Sequence, residues 1–150
     1  MMNTIFNESD REHLINRISL LTENNQRQWG KMSVYQMLEH LIIWNEDILG
    51  MTKVIHKQSF IGKIFGKIAL KRTIGDKPLD KNIPTSDFHR PKGNSKDMDN
   101  LKITCQQLIA SYENFSNYDY IHDFFGKMKP EHLGILVYKH HDHHLRQFGL

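Results

Sequence analysis

Two histidines near the end of the chain, His140 and His144, have the spacing of a metal-binding pair. Residues four apart lie on one face of a helix, where two imidazoles can share one cation. At about 100° per residue, both rings fall at the centre of an apolar stripe shared with Leu133 and Val137. This amphipathic register distinguishes the histidine-rich segment YKHHDHHLRQFGL from a purification tag, which has none. Buried imidazoles need hydrogen-bond partners or a metal, so the pair predicts either two satisfied core residues or two metal ligands.

A metal site needs a third protein ligand, and His40 is the best candidate. It lies in QMLEHLIIW, on the flank of an apolar helical face that also carries Ser33, Gln36 and Asp47. Metal ligands in helical bundles commonly project inward from facing helices. The alternative for His40 is an ordinary half-buried histidine. Asp47 is the best candidate for a general base, but we favour a solvent-facing position for its side chain.

The other histidines and the single cysteine give weaker signals. His141 and His143 fall near the two edges of the apolar stripe, and His122 is expected in a loop or capping role. Cys105 is expected to be a small buried hydrophobic residue. The histidines without a recognisable partner are His13, His56, His89 and His132, the last of which is expected to face solvent.

Capping signals predict where two of the helices start. Ser9 and Glu12 have capping-box spacing ahead of apolar residues at helical intervals, which predicts that the first helix starts at Ser9. The second helix is predicted to begin at Ser33, with Gln36 in the reciprocal place, and to end at Gly50. Its apolar residues cover more than half of its circumference, so much of it should be buried.

Two further helices complete the predicted bundle. The third covers about residues 97–114, and the fourth starts near Pro130, a good first-turn residue, and runs to about Phe148. Roughly 45 residues separate the second helix from the third, far more than a usual helix–helix connection. The predicted fold class is therefore all-α, a four-helix bundle with a long crossover between helices two and three.

The crossover contains the stretch SFIGKIFGKIALKRTIG, which predicts a fifth, short amphipathic helix. One face carries Ile61, Ile64, Phe65 and Ile68, and another carries Lys63, Lys67 and Lys71, with Arg72 close by. A basic amphipathic helix can lie on a membrane or bind phosphate groups. We favour the simpler interpretation, in which the lysines are solvated and the apolar face caps the bundle.

Length and composition indicate an ordinary globular protein. A chain of 150 residues can bury a core without disulfides, and we expect one domain over residues 1–150. The net charge of +3 does not indicate a dedicated nucleic-acid binder. One cysteine excludes an internal disulfide and fits a cytoplasmic location. We recognise no signal peptide and no transmembrane segment, and a homodimer is expected only because dimers are common.

The order of these features resembles the DinB-like superfamily of metal-binding four-helix bundles. A histidine in helix two, a long crossover and HxxxH in the last helix correspond here to His40, His140 and His144. The strings QWGKMSVYQMLEHL, KNIPTSDF, HDFFGKM and YKHHDHHLRQFG are similar to one branch known only as a domain of unknown function. The resemblance implies one divalent metal held by the three histidines, with open positions for water or substrate. Relatives elsewhere in the superfamily include transferases and isomerases that use mycothiol, bacillithiol or glutathione.

Two functional hypotheses follow from the resemblance and the ligand types. The first is a metal-dependent transferase or hydrolase that uses a low-molecular-weight thiol or water and acts on a small molecule. Zinc or nickel suits three imidazoles best, and iron and manganese are compatible. The second is a metal-binding or small-ligand-binding module without catalysis. An open coordination position beside a polar pocket would favour the enzyme, and a closed, fully ligated metal would favour the module.

Overall fold

The computed structural model describes residues 2–150, which form five α-helices and one short hairpin. The helices are α1 (Glu8–Ser19), α2 (Val34–Ile48), α3 (Phe60–Thr73), α4 (Met98–Ser111) and α5 (Pro130–Gln147). Between α4 and α5, β1 (Ile121–His122) pairs antiparallel with β2 (Gly126–Lys127). The protein is mainly α-helical, and the predicted fold class is confirmed.

Four of the helices, α1, α2, α4 and α5, contribute to one apolar core. Its fully buried members include Ile18, Leu38, Leu41, Ile109 and Leu145. Cys105 is also buried there, as expected. Each large apolar side chain gains about 1.5–3 kcal/mol on burial, so this core dominates the stability of the fold. It holds α2 and α5, which carry the three candidate ligands, in a defined relative position.

The start of α1 differs from the prediction. The helix begins at Glu8, with Asn7 as its N-cap, and the Asn7 side-chain oxygen accepts hydrogen bonds from the backbone N–H and the hydroxyl of Ser9. The predicted capping box of Ser9 and Glu12 is therefore wrong, because Ser9 is already inside the first turn. Asn is as good an N-cap as Ser, and Asn7 takes this role two residues before Ser9.

The other predicted boundaries hold to within a few residues. The capping box of Ser33 and Gln36 is confirmed, with reciprocal hydrogen bonds of 3.0 Å and 3.2 Å. The chain leaves α2 through Gly50, whose φ of +77° favours glycine. A 3-10 turn, Tyr112–Asn114, extends α4 to the predicted end. At the other end of the chain, Phe148 is the C-cap of α5.

The predicted fifth helix exists as α3, but its orientation contradicts the prediction. Its Gly62 and Gly66 approach the backbone of Phe124 so closely that added Cβ atoms would lie 2.3 Å and 2.5 Å from the Phe124 carbonyl oxygen. The apolar side chains on the other side are 54–74% exposed; they are Ile61, Ile64, Phe65 and Ile68. The prediction that this face caps the bundle is wrong, because α3 is attached through its glycines. Within residues 2–150, neither α3 nor any other helix has the length and hydropathy of a bilayer-spanning segment.

Candidate metal centre

Three imidazole nitrogens converge between α2 and α5. The Nε2 atom of His140 lies 3.1 Å from Nε2 of His40 and 3.2 Å from Nε2 of His144. One ligand atom from each ring lies within 4.8 Å of the others. Zinc–nitrogen bonds of about 2.0–2.1 Å at tetrahedral angles place the nitrogens about 3.3 Å apart, so the observed spacing suits one shared cation. The structure thus brings together the three predicted histidines, which we call the histidine triad.

Two rings of the triad are oriented by hydrogen bonds on their outer nitrogens. His40 donates from Nδ1 to the backbone carbonyl of His89 at 2.8 Å, and His144 donates from Nδ1 to Oε1 of Gln147 at 2.9 Å. Gln147 is held in turn, because its Nε2 donates to the carbonyl of Trp29 at 2.8 Å. A neutral imidazole with its proton on Nδ1 has a free lone pair on Nε2. Both rings therefore present a metal-binding lone pair to the centre.

The centre of the triad has more hydrogen-bond acceptors than donors. His40 and His144 each present a lone pair, and one N–H on Nε2 of His140 can point well at only one of them. The other ring nitrogen of His140, Nδ1, is buried and has no hydrogen-bond partner within residues 2–150. The inward lone pair of His40 or His144 that receives no N–H is also unsatisfied, at a cost of about 1–3 kcal/mol. A cation at the centre would satisfy all three inward nitrogens at once, so the donor set fits a metal.

Burial keeps the three rings neutral. Desolvation lowers the pKa of His40 to about 4, and it lowers the pKa values of His140 and His144 well below the usual value for histidine. Trp44 covers one side of His140, with the ring centroids 4.1 Å apart. Because a metal competes with protons for imidazole lone pairs, rings that resist protonation are suitable ligands near neutral pH.

His141 is adjacent to the triad in sequence but belongs to a different arrangement. Its Nδ1 donates to the carbonyl of Val137 at 2.8 Å, and its Nε2 accepts a hydrogen bond from the Asn45 amide at 2.9 Å. The hydroxyl of Tyr112 donates to the Asn45 side-chain oxygen at 2.9 Å. Both ring nitrogens are satisfied, so His141 is a core histidine. It is fully buried, because the buried surface of α5 is wider than the predicted stripe and includes this position near its edge.

Two other histidines have packing roles near the triad and the hairpin. His143 is half-buried on α5, and its ring packs edge-on against Trp29 with centroids 5.4 Å apart. His122 accepts hydrogen bonds on Nδ1 from the backbone N–H groups of Phe124 and Phe125, at 3.1 Å and 3.2 Å. His122, at the end of β1, therefore caps the turn of the hairpin, which agrees with the capping alternative of the predicted loop or capping role.

Asp47 is the centre of a second histidine cluster that the sequence did not indicate. Its side chain is buried, so the predicted solvent-facing position is wrong. The two carboxylate oxygens accept hydrogen bonds from Nε2 of His56 at 2.7 Å and from Nε2 of His89 at 2.9 Å. Although burial opposes ionisation, these two hydrogen bonds hold the pKa of Asp47 below its usual value. The carboxylate is charged and bound to two imidazoles, so it is not a free general base beside the triad.

His89 connects the Asp47 cluster to the histidine triad. Its ring donates to Asp47 and accepts from the hydroxyl of Ser86 at 2.7 Å, while its backbone carbonyl accepts from His40. The crossover is thereby held against α2 at the level of the triad. A cavity of about 260 Å³ borders the Asp47 cluster, and its lining includes Thr52, His56 and Tyr120.

The residues that orient the ligands carry little signal in the sequence. Gln147 lies three residues after His144 on the same face of α5, so spacing could have identified it. The carbonyl of His89 has no signature, because every residue type has a backbone carbonyl. His56 and His89 come from irregular segments, where no periodicity predicts which side chains meet.

Comparison with known proteins identifies the family of the chain. The family model that describes the DinB superfamily matches residues 8–148. No curated protein and no solved structure matches the chain. The matched residues include the whole histidine triad and the crossover that supplies the His89 carbonyl. The chain belongs to the DinB superfamily.

Proposed function

We propose that the chain acts as one DinB-like domain that binds one divalent metal ion through His40, His140 and His144. The observation that carries the proposal is the convergence of their three Nε2 atoms, at 3.1 Å and 3.2 Å, with two rings oriented to present lone pairs. Three imidazoles suit zinc or nickel best, and iron and manganese are compatible.

The number of protein ligands favours a reactive site over a structural one. Three ligands leave at least one coordination position free, which is typical of catalytic zinc sites. When bound, the ion would act as a Lewis acid and lower the pKa of a water or of a low-molecular-weight thiol at that position. We therefore propose a metal-dependent transferase or hydrolase that acts on a small molecule.

The chain's own residues would prepare the ligands for this role. The His89 carbonyl and the Gln147 amide keep the Nε2 lone pairs of His40 and His144 directed inward. Trp44 covers His140. Asp47 supports the arrangement from outside, because it holds the His89 ring. We assign no general base.

The alternative is a metal-binding module without catalysis, and one observation favours it. Asp47, the carboxylate that the sequence suggested as a base, accepts hydrogen bonds from His56 and His89 and not from a group beside the triad. A module would still need the three imidazoles, so the two functions differ in the free coordination position and in turnover.

Metal analysis of untagged protein tests the proposed site. After loading with zinc and desalting, we expect about one ion per chain in the wild type and almost none in His40→Ala, His140→Ala or His144→Ala. His143→Ala is the matched control, because His143 lies on α5, is half-buried and is outside the triad. Full metal content in all three triad variants would show that the site is elsewhere.

Thiol binding separates the enzyme from the module. We expect glutathione, bacillithiol or mycothiol to raise the melting temperature of the metal-loaded wild type and to leave the metal-free protein unchanged. A metal-loaded protein that neither responds to any thiol nor hydrolyses activated esters would favour the module. The cytoplasmic location and the homodimer stay predictions.

A further inference from the structure

The side of α3 that points away from the body of the protein is apolar. Phe60 is 77% exposed at the first position of the helix, and the four apolar residues named above follow along the same side. We call this set the α3 apolar face; it comprises Phe60, Ile61, Ile64, Phe65 and Ile68. Contiguous exposed apolar surface of this kind marks contact with another molecule or with lipid.

The attachment of α3 directs this face outward. Gly62, Gly66 and Leu70 form the buried side of the helix. On a helical wheel, their mean direction lies roughly 150° from that of the exposed isoleucines and Phe65. The contact is made at backbone distance, because the two glycines lie against the carbonyl oxygen of Phe124. The helix therefore turns its apolar residues almost directly away from the protein.

Both ends of α3 are held in place. Before the helix, the backbone N–H of Ser59 donates to the carbonyl of Asp123 at 2.7 Å. After it, the Lys139 ammonium donates to the backbone carbonyls of Thr73 and Gly75. The orientation is thus fixed by the rest of the fold, and the apolar face is not a frayed segment that could turn inward.

The charges on α3 are all positive. Lys63, Lys67, Lys71 and Arg72 are exposed, and the helix contains no acidic residue. On the helical wheel Lys63 and Lys67 lie along one flank of the α3 apolar face, whereas Lys71 and Arg72 fall within its sector near the end of the helix, where Arg72 pairs with Asp80 at 3.0 Å. From Lys53 to Lys81, eight basic residues stand against two acidic ones, Asp76 and Asp80. The surroundings of the apolar face are therefore electropositive.

These charges distinguish between a bilayer and a second copy of the chain. Two copies packed face to face through α3 would bring together two helices whose charges are all positive, and α3 offers no carboxylate to neutralise them. Like charges opposed across an interface are unfavourable. An anionic bilayer has the complementary charge, and its acyl region accepts the apolar side chains.

We propose that α3 docks the protein on the surface of an anionic lipid bilayer. The α3 apolar face lies at the boundary of the headgroups and acyl chains, about 5–10 Å deep, as other interfacial helices do. Lys63 and Lys67 extend from the flank of the face, and Lys71 from its C-terminal end, toward the phosphates. The rest of the protein stays outside the bilayer, attached through the glycine side of α3.

Vesicle flotation of the metal-loaded, full-length protein tests the proposal. The vesicles contain phosphatidylcholine alone, or phosphatidylcholine with about 30 mol% phosphatidylglycerol, which is on the order of the anionic content of natural leaflets. We expect flotation with the anionic vesicles, weak flotation with the neutral ones, and loss of flotation as the salt concentration rises. If the protein remains in the unbound fraction to the same extent with anionic and with neutral vesicles at low salt, the proposal is overturned.

Variants with a matched control connect the binding to α3. Ile61→Ser with Ile68→Ser is expected to weaken binding about a hundredfold, because each isoleucine loses its burial in lipid. The control is Leu20→Ser with Ile103→Ser, since these side chains are 64% and 52% exposed on other parts of the surface. Circular dichroism and thermal melts check that both variants are folded. Equal weakening in both would overturn the assignment to α3.

The charged residues are tested separately. Lys63→Gln with Lys67→Gln is expected to weaken binding to the anionic vesicles by more than about tenfold, because each lysine near an anionic surface contributes about fivefold. Lys92→Gln with Lys96→Gln, also at exposed positions, is the charge-matched control and is expected to bind like the wild type. An effect of equal size in the control would reduce the interaction to net charge and contradict docking through α3.

A dimer is the competing outcome, and light scattering detects it. The proposal fails if light scattering finds a dimer for the wild type and a monomer for Ile61→Ser with Ile68→Ser, and if neither protein floats with vesicles. The α3 apolar face would then be a self-association surface. In the expected result, Phe65→Trp shows an additional blue-shifted emission when anionic vesicles are added. No shift with bound protein would contradict insertion of this face.

Discussion

His141 and His144 are both buried on α5, three residues apart, yet they are prepared for different roles. Each nitrogen of His141 has a hydrogen-bond partner, one in the Val137 carbonyl and one in the Asn45 amide. The outer nitrogen of His144 donates to Gln147, but its inner nitrogen lies 3.2 Å from Nε2 of His140 and competes with His40 for the one N–H of that ring. Burial and residue type are the same in both, so neither identifies a ligand. The balance of donors and acceptors around the ring does.

The same comparison explains why not all inward nitrogens of the triad have a binding partner in the metal-free protein, whereas both nitrogens of His141 do. The chain His141–Asn45–Tyr112 alternates donors with acceptors and closes on backbone carbonyls. The triad collects three nitrogens at a point and supplies at most one proton for them. A self-sufficient network stabilises the metal-free fold, whereas a donor-deficient one stores an unfavourable interaction that a cation relieves.

Metal removal gives the largest expected effect. With free zinc at about a thousand times its Kd, the wild type should gain about 4 kcal/mol in free energy of unfolding relative to chelator-treated protein. The His144→Leu variant should gain almost nothing from zinc, and His141→Leu should gain as much as the wild type. Urea unfolding with and without zinc measures all three. A zinc response in His144→Leu equal to that of the wild type would remove the distinction between the two histidines.

Acidification of the metal-free protein is expected to have an effect of similar size. The folded-state pKa values of His40 and His141, about 4, lie below the ordinary value near 6.5, so the unfolded chain binds protons first. Their contribution to stability is complete above about pH 6.5 and is lost progressively as the pH falls toward 4. Between pH 7.5 and pH 5 we expect a loss of about 2 kcal/mol for each of the two histidines.

Urea unfolding in chelator at a series of pH values measures this loss. His141→Leu should reduce the slope of stability against pH, because one of the resisting imidazoles is gone. Asp47 does not contribute in this range, since its pKa is lowered from a value already below 4 and the carboxylate is charged in both states. An unchanged slope in the variant would show that His141 takes up a proton in the folded protein.

The His141 network itself is expected to contribute less. In metal-free protein at pH 7.5, His141→Leu should cost about 2 kcal/mol, because the hydrogen bonds to Val137 and Asn45 are lost. His144→Leu should change the stability of the metal-free protein by less than about 1 kcal/mol, since it removes the hydrogen bond to Gln147 but also one of the two acceptors that compete for the single N–H of His140. The reverse order would mean that the triad, and not the His141 network, is the balanced arrangement.

Asp47→Asn gives the smallest expected effect and tests the connection through His89. Loss of the charged acceptor should loosen the His89 ring and, through its carbonyl, the orientation of His40, which weakens zinc affinity about tenfold. Competition with a chromogenic chelator measures the affinity. Asp119→Asn is the control, because Asp119 lines the same cavity but is exposed and pairs only with Lys127 among its salt bridges. Equal affinity in both variants would confine Asp47 to a role in folding.

The pair His140 and His144 could be predicted from the sequence because its signals are local and periodic, whereas His40 was added as the best third candidate and by the family resemblance. His140 and His144 share a helical face by spacing alone, and α5 was recognisable from its apolar stripe. The exposure of His141 could not be predicted in the same way. A helical wheel gives the direction of a side chain but not how many neighbouring elements surround it, and α5 is buried over more than one face.

The parts that could not be predicted depend on contacts between distant or irregular segments. His56 and His89 meet Asp47 only after the crossover has folded back onto α2. The existence of α3 was predictable from its periodicity, but its orientation depends on Gly62 and Gly66, which carry no hydropathy signal. These two residues allow the contact because they have no Cβ atom, since a side chain at either position would collide with the Phe124 carbonyl.

Lys139 connects the end of α3 to the histidine triad. Its ammonium holds the backbone at the end of α3, and the next residue along α5 is the triad member His140. Binding events at two sites on one molecule obey thermodynamic reciprocity. Whatever factor a zinc ion applies to the affinity of the protein for a vesicle, the vesicle applies to the affinity for zinc. A zinc titration with and without lipid therefore measures the coupling free energy between the two binding events. That free energy shows how strongly the connection from Lys139 to His140 links the α3 apolar face to the histidine triad.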